Sequence, residues 1–263
     1  MSRLKYFIGS LISLPILPVM YFQAKKIRKK IPKLTVPNDM EGNEGNGDKA
    51  IHLLIIGEST MAGVGAKENK SGFAGHLARY LSAAIDQVVQ WKVIAKSGYT
   101  AKMVRDKLIT KDLVVNPPEV IVIGLGGNDS FTLNSPKKWK QHTLDLIKIL
   151  KSKFPKAPIV FIGMPPIKDF PVFTKSMKFV LGNLAEIFGE EMKAIAANAN
   201  GVYYMEEKIS LQKWLKQENK NGPTSLSNHD FFSDGVHPSE LTYRIWARDT
   251  SDFILKKIFP SKA

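Results

Sequence analysis

Five short apolar runs, separated by helical stretches, constrain this chain more than anything else in it. They occupy residues 51–56, 89–94, 120–125, 159–162 and 202–205. The first is partly β-branched and almost wholly apolar, the pattern of a strand buried on both faces. Helical stretches follow at 72–84, 101–108, 136–154 and 175–199, and a last one runs over 238–258. Pro238 suits the first turn of that helix, and Leu241, Ile245, Phe253 and Ile254 line one broad face of it. Strands alternating with helices specify a parallel sheet covered on both sides.

At 263 residues, 44% of them hydrophobic, the chain has enough apolar material for one domain with an appendage. The appendage is N-terminal. Residues 7–22 are apolar but contain Pro15 and Pro18, with Arg3 and Lys5 before them and Lys25, Lys26, Arg28, Lys29, Lys30 and Lys33 after. No small-x-small cleavage site follows the run, so it does not read as a secretory signal. Sixteen residues at ~1.5 Å each reach only ~24 Å, short of a ~30 Å hydrocarbon core, and prolines break a simple helix. The expectation is an interfacial or re-entrant anchor over 1–33 whose basic flank grips anionic headgroups, with the domain on the cytoplasmic side and the periplasmic side as the alternative; a plain hydrophobic helix docked on the domain is the rival reading. Residues 34–49, rich in Asn, Gly, Glu and Asp, read as a flexible linker, which leaves 50–263 as the domain.

The formal charge of +14 permits nucleic acid as a partner, but no RNP-like, zinc-finger or helix-turn-helix pattern supports it. With no cysteine there is neither disulfide nor thiolate metal site. His229, Asp234 and His237 could in principle gather around a metal, but no helical His-x-x-x-His pair accompanies them. His52, His76 and His142 fall in strand or helix and read as structural or surface residues.

Chemistry collects where the strands end. The first run breaks at Gly57-Glu58-Ser59, placing a hydroxyl at the carboxyl edge of the sheet, where open α/β folds hold ligands; a simple helix cap would look the same. Lys96-Ser-Gly-Tyr-Thr100 follows the second run, with Gly98 also readable as a turn glycine. Gly124-Leu-Gly-Gly-Asn-Asp129 follows the third, and its glycine spacing is not that of a dinucleotide loop. Asp234-Gly-Val-His237 precedes the last helix. Serine needs a base to become a nucleophile, and imidazole titrates near neutrality. A carboxylate three residues away can orient that imidazole, and N–H groups at Ser59 and Gly98 with the Asn128 amide can meet an oxyanion. These are the parts of acyl transfer.

In this order, Gly57-Glu-Ser59, Gly98, Gly126-Gly-Asn-Asp129 and Asp234-Gly-Val-His237 resemble the four blocks of the SGNH (GDSL-type) hydrolases, a family of esterases and lipases. The resemblance implies a three-layer α/β/α sandwich on a five-stranded parallel sheet of order 2-1-3-4-5. It implies Ser59 as nucleophile, His237 as base, Asp234 as its orienter, an oxyanion hole of Ser59, Gly98 and Asn128, and no cofactor. Glu58 stands where the family has aspartate. The segment 163–173, Gly-Met-Pro-Pro-Ile-Lys-Asp-Phe-Pro-Val-Phe, resembles that of membrane-tethered bacterial members and reads equally as a loop near the site or as a plain connection. A lipid or lysophospholipid ester is the substrate this suggests. Removal of acetyl groups from carbohydrate is a rival activity, and a catalytically dead, membrane-bound binding protein a rival of another class.

Overall fold

The computed structural model describes residues 2–111, 113–207, 209–221 and 226–260. Helices α1 (Ser2–Ser13) and α2 (Leu17–Lys30) come first, followed by strands β1 (Glu41–Glu44), β2 (Ala50–Gly57) and β3 (Val88–Ala95) with α3 (Phe73–Ile85) between the last two. Helix α4 (Ala101–Lys107), β4 (Val120–Gly124), α5 (Gly127–Phe131), α6 (Pro136–Lys153) and β5 (Ile159–Phe161) follow. The chain closes with α7 (Lys175–Asn198), β6 (Val202–Tyr204), α8 (Leu211–Asn221) and α9 (Glu240–Ile258).

The sheet has six strands in the order β1-β3-β2-β4-β5-β6. The five from β3 to β6 are parallel and follow the expected 2-1-3-4-5 order. β1 is an addition, antiparallel on the β3 edge. Successive β2 side chains point to opposite layers. Leu53 and Ile55 meet Phe73, Leu77 and Tyr243 beneath α3 and α9. Leu54 and Ile56 meet Trp139, Leu146 and Phe188 beneath α6 and α7. The strand order reverses between β2 and β4, and α/β sheets open their ligand crevice at such a switch point.

Three expectations need correction. The stretch 34–49 is not simply a flexible linker, because β1 lies within it. Its polar residues are held by pairing with β3, by Val93 N–H donating to Met40 O (2.7 Å), and by the Asp39 carboxylate accepting from the N–H of Asn69 (2.8 Å) and Lys70 (3.0 Å). Pro238 precedes α9 rather than opening it. Ser239 is the cap, its Oγ accepting from Thr242 N–H at 3.3 Å, while Pro238 bridges to Phe232. The N-terminal prolines do not break the helix. A 3₁₀ turn over Leu14–Ile16 joins α1 to α2, and Pro15 and Pro18 fall in first turns, where a missing N–H costs nothing. The apolar helical stretch Leu4–Lys30 is therefore 27 residues, long enough by length and composition to cross a membrane.

That N-terminal helix is docked lengthwise on α7. Lys5 pairs with Glu190, and at the other end Gln23 Oε1 accepts from the hydroxyls of Thr174 (2.7 Å) and Ser176 (3.1 Å). Met20 is buried with Ile167, Phe170, Met177 and Leu181. Its outward face leaves Leu4, Phe7, Leu11, Val19 and Phe22 more than half exposed.

Candidate active site

The site begins where β2, β3 and β4 end together. Gly57 has no alternative, because a Cβ there would lie 2.3 Å from the carbonyl oxygen of Gly124 on β4. Glu58 N–H donates to that same Gly124 oxygen at 3.2 Å, and Lys96 N–H donates to Gly57 O at 3.2 Å. Ser59 then enters a tight turn closed by Ala62 N–H to Glu58 O (3.0 Å) and Val64 N–H to Ser59 O (3.1 Å). Neither the hydroxyl nor the N–H of Ser59 makes a hydrogen bond among the described residues, so both remain available.

The Gly98 and Asn128 loops are tied to this turn and to each other. Gly98 has φ +81°, a left-handed conformation that glycine adopts without strain, and a side chain there would meet open space. Asn128 sits in the first turn of α5, and its amide donates to Tyr99 O at 3.0 Å and also acts on the Glu58 carboxyl. Asp129, fully buried, accepts from Ala101 N–H and Asn134 Nδ2, both at 2.8 Å. Burial raises its carboxyl above the ordinary value, against the pull of those two donors.

Glu58 supplies what its motif left open. Its Oε1 accepts from Gly127 N–H and its Oε2 from Asn128 N–H, each at 2.8 Å. One carboxyl thus caps the start of α5 from the residue preceding Ser59. Burial pushes Glu58 up to about 8, although the Asn128 and Gly127 N–H groups pull it down. Asp129 and Glu58 are the site residues that motif reading undervalued. The signal was the acid flanking each motif residue.

The fourth loop delivers a carboxylate–imidazole pair. Asp234 Oδ1 accepts from Val236 N–H (2.9 Å) and His237 N–H (2.8 Å), and Oδ2 accepts from the ring Nδ1–H of His237 at 2.7 Å. Burial pushes the Asp234 carboxyl up, but the His237 ring and the backbone donors outweigh it and hold it below its ordinary value. The Asp234 side chain is 1% exposed while the His237 ring is 24% exposed, so Nε2 is the nitrogen that faces out. This loop is clamped to the Ser59 turn. Ser233 Oγ donates to Gly65 O at 3.0 Å, and Tyr243 OH donates to Val64 O at 2.7 Å. Gly65, at φ +103°, lets the Pro238 carbonyl approach where a Cβ would stand 2.2 Å away. Thr60, Phe232, Val236 and Pro238 line one small cavity between the two loops.

No hydrogen bond joins Ser59 to His237 in this structure, and such contacts commonly tighten only when substrate arrives. The segment 163–173 packs against the site: Met164 stands over Gly126, Val172 over Gly235, and Phe170 edges onto Phe232 with ring centroids 5.5 Å apart. Among the described residues no group of three or more His, Asp or Glu is arranged to hold a metal. His52 lies in β2, His76 stacks on Tyr80, and His142 pairs with Arg105, all outside the site.

Known proteins resemble this chain in sequence family and in fold. Residues 55–245 match the GDSL-like lipase/acylhydrolase family. A GDSL-like esterase of Mycobacterium tuberculosis is 28% identical over 124 residues, covering 47% of this chain and 38% of that protein. The chain therefore spans well under half the length of this curated relative. Among solved structures, a lipolytic protein of the G-D-S-L family from Veillonella parvula superimposes with a TM-score of 0.55 at 15% identity, over 80% of this chain and all of that one. A family 3 carbohydrate esterase from Clostridium thermocellum gives 0.53 at 16% identity, over 82% and 100%. At such identities the structures share the fold.

Proposed function

The chain belongs to the GDSL-like lipase/acylhydrolase family, and from that premise we propose that it is a serine esterase acting on lipid or lysophospholipid esters at a membrane surface. The observation that carries this reading is the Asp234–His237 pair, its Nε2 outward, clamped beside a serine whose hydroxyl is uncommitted. His237 Nε2 takes the proton of Ser59 Oγ as that oxygen attacks the ester carbonyl carbon. Asp234 holds the ring by its Nδ1–H and stabilises the imidazolium that forms. The carbonyl oxygen, now an oxyanion, is met by the N–H groups of Ser59 and Gly98 and by the Asn128 amide. Collapse expels the alcohol, which receives its proton from His237 and leaves an acyl group on Ser59. Water, deprotonated by the same imidazole, then releases the acid and restores the serine.

The lipid assignment rests on the N-terminal helix. Its exposed apolar face suits insertion into the headgroup and acyl boundary, and six basic residues follow it within residues 25–33. By the positive-inside tendency the domain belongs on the cytoplasmic side.

An organophosphonate and a chromogenic short-chain ester test the assignment together. Wild-type protein is expected to gain one phosphonyl adduct by intact mass and to lose turnover in proportion. Ser59→Ala is expected to do neither. A Ser59→Ala variant that keeps wild-type turnover and still takes the label would overturn it. Domain digestion by protease added to intact spheroplasts would move the protein to the periplasmic side.

A further inference from the structure

Between the docked N-terminal helix and α7 runs a groove of about 630 Å³, and it is not part of the site described above. Gly9, Ile12, Leu17, Leu133, Val180 and Ile187 are among the residues that line it. Its volume lies in the ordinary range of ligand pockets, ~300–1,000 Å³. We infer that this groove receives the fatty acyl chain of the ester substrate, which rests on the esterase reading and specifies its chain-length preference.

Three observations support this occupant. The first is length. From Lys5 to Leu17 the helix runs about 18 Å, and half of a ~30 Å hydrocarbon core, the reach of one acyl chain, is about 15 Å. The second is continuity with the site. Leu133 lies just past α5, the helix that carries Asn128, and Phe131 and Leu133 are 38% and 40% exposed along the way. Phe131 edges onto Phe173, whose ring meets Phe170, and Phe170 meets Phe232 beside the His237 loop. Exposed Phe131 and Leu133 thus lie between the helix that carries Asn128 and the groove, and the buried ring of Phe170 ties Phe173 to the His237 loop beneath them. The third is polarity. The lining is mainly apolar, with Ser10, Ser13, Asn183 and Glu186 among it, and the Lys5–Glu190 ion pair stands at the end remote from Thr174 and Phe173. A chain lying here would bury mainly apolar surface, with the ester itself at Ser59.

Gly9 provides a test that leaves the site alone. It lines the groove, and a Cβ on it would meet nothing within 4 Å, so a larger side chain enters free space. Replacing a mid-helix glycine also favours the helix. The full-length protein in mild detergent would be assayed with p-nitrophenyl acetate, butyrate, laurate and palmitate as wild type, Gly9→Ala and Gly9→Phe. Gly9→Phe is expected to keep acetate and butyrate kcat/KM within twofold and to lose laurate and palmitate at least tenfold, with Gly9→Ala close to wild type throughout. Laurate binding, measured by calorimetry on the same proteins, is expected to disappear in Gly9→Phe only. Unchanged laurate binding and unchanged chain-length profile in Gly9→Phe overturn the groove while leaving the esterase standing. Laurate binding lost in Gly9→Phe, with no ester of any length cleaved by wild type, upholds the groove and overturns the esterase.

Discussion

Glu58→Gln probes the link between the serine turn and the oxyanion helix. In the folded chain burial raises the Glu58 carboxyl from 4.5 to about 8. At ~1.36 kcal/mol per pH unit that difference corresponds to about 5 kcal/mol, to an order of magnitude. The folded value is the higher one, so this stabilisation is complete below pH 4.5 and is lost as pH rises through 8. Between pH 6 and 8 the wild type should lose about 2–3 kcal/mol from this group, or roughly 5–10 °C in Tm for a domain of this size. Glutamine does not titrate, so the variant should lack this slope. It also has one carbonyl oxygen where Glu58 offers two acceptors, and its NH₂ faces the N–H of Gly127 or Asn128. That mismatch costs about 1–3 kcal/mol. The variant should therefore melt below wild type at pH 5–6, and the two curves should converge toward pH 8. Thermal unfolding of the full chain in mild detergent, followed by circular dichroism from pH 5 to 9, checks this. Kinetically, Glu58 acts through Asn128, so kcat should fall with KM nearly unchanged, and Glu58→Asp, still an acid but one methylene shorter, should recover part of it. Parallel melting curves for wild type and Glu58→Gln across pH 5–9 would refute the reasoning, because Glu58 would then not be the group that titrates.

Two further outcomes follow from the site's hydrogen bonds. If the Asn128 amide meets the oxyanion as proposed, Asn128→Ala should lower kcat by ~10²–10³ with little change in KM; an unchanged kcat would reduce Asn128 to a tie between loops. Asp234→Asn should retain more activity than His237→Ala in steady-state ester hydrolysis, because backbone donors still hold the loop while no other group replaces the imidazole; equal and complete loss in both would show the pair to be inseparable.

The five parallel strands were legible because each announces itself by apolar content over a length no helix needs. Their order came from the family resemblance, not from any residue pattern. Asp234 and His237 were legible as a pair because they stand three positions apart in one loop. β1 was not legible, because Glu41-Gly-Asn-Glu44 has no apolar alternation and exists through edge pairing with Val89–Lys92 and through Asp39 capping a distant turn. α8 left a signal in Leu211, Trp214 and Leu215 at helical spacing, anchored by Trp214 Nε1 donating to Asp249 at 2.8 Å. The role of Glu58 was invisible for a different reason. Its partners are backbone N–H groups 69 and 70 residues away, and a backbone donor has no letter in the sequence. Pro238 misled because a proline one residue before a cap and one at the first helical position look alike in sequence.

If the N-terminal helix meets a membrane as proposed, its docking on α7 bears on whether it spans. α1 and α2 lie along α7, with Lys5 at Glu190 and Gln23 at Thr174 and Ser176, so the two run antiparallel for most of their length. α7 carries Lys175, Lys178, Glu186, Glu190, Glu191 and Lys193, and such a helix does not enter hydrocarbon. On the anchor reading proposed above, a helix docked on it would lie along the membrane surface, with Phe7, Leu11, Val19 and Phe22 facing the lipid, and it could span only by leaving α7 and exposing Met20, Ile167 and Met177. Burying each of those side chains stabilises by about 1.5–3 kcal/mol, so undocking is costly. The chain has no cysteine, so a Gln23→Cys, Ser176→Cys protein contains a single possible cross-link. With a short bifunctional maleimide, the double variant bound to anionic vesicles should cross-link as completely as it does in detergent. Cross-linking in detergent that vanishes on vesicles would mean that the helix leaves α7 to cross the bilayer, and the acyl groove it forms with α7 would then exist only off the membrane.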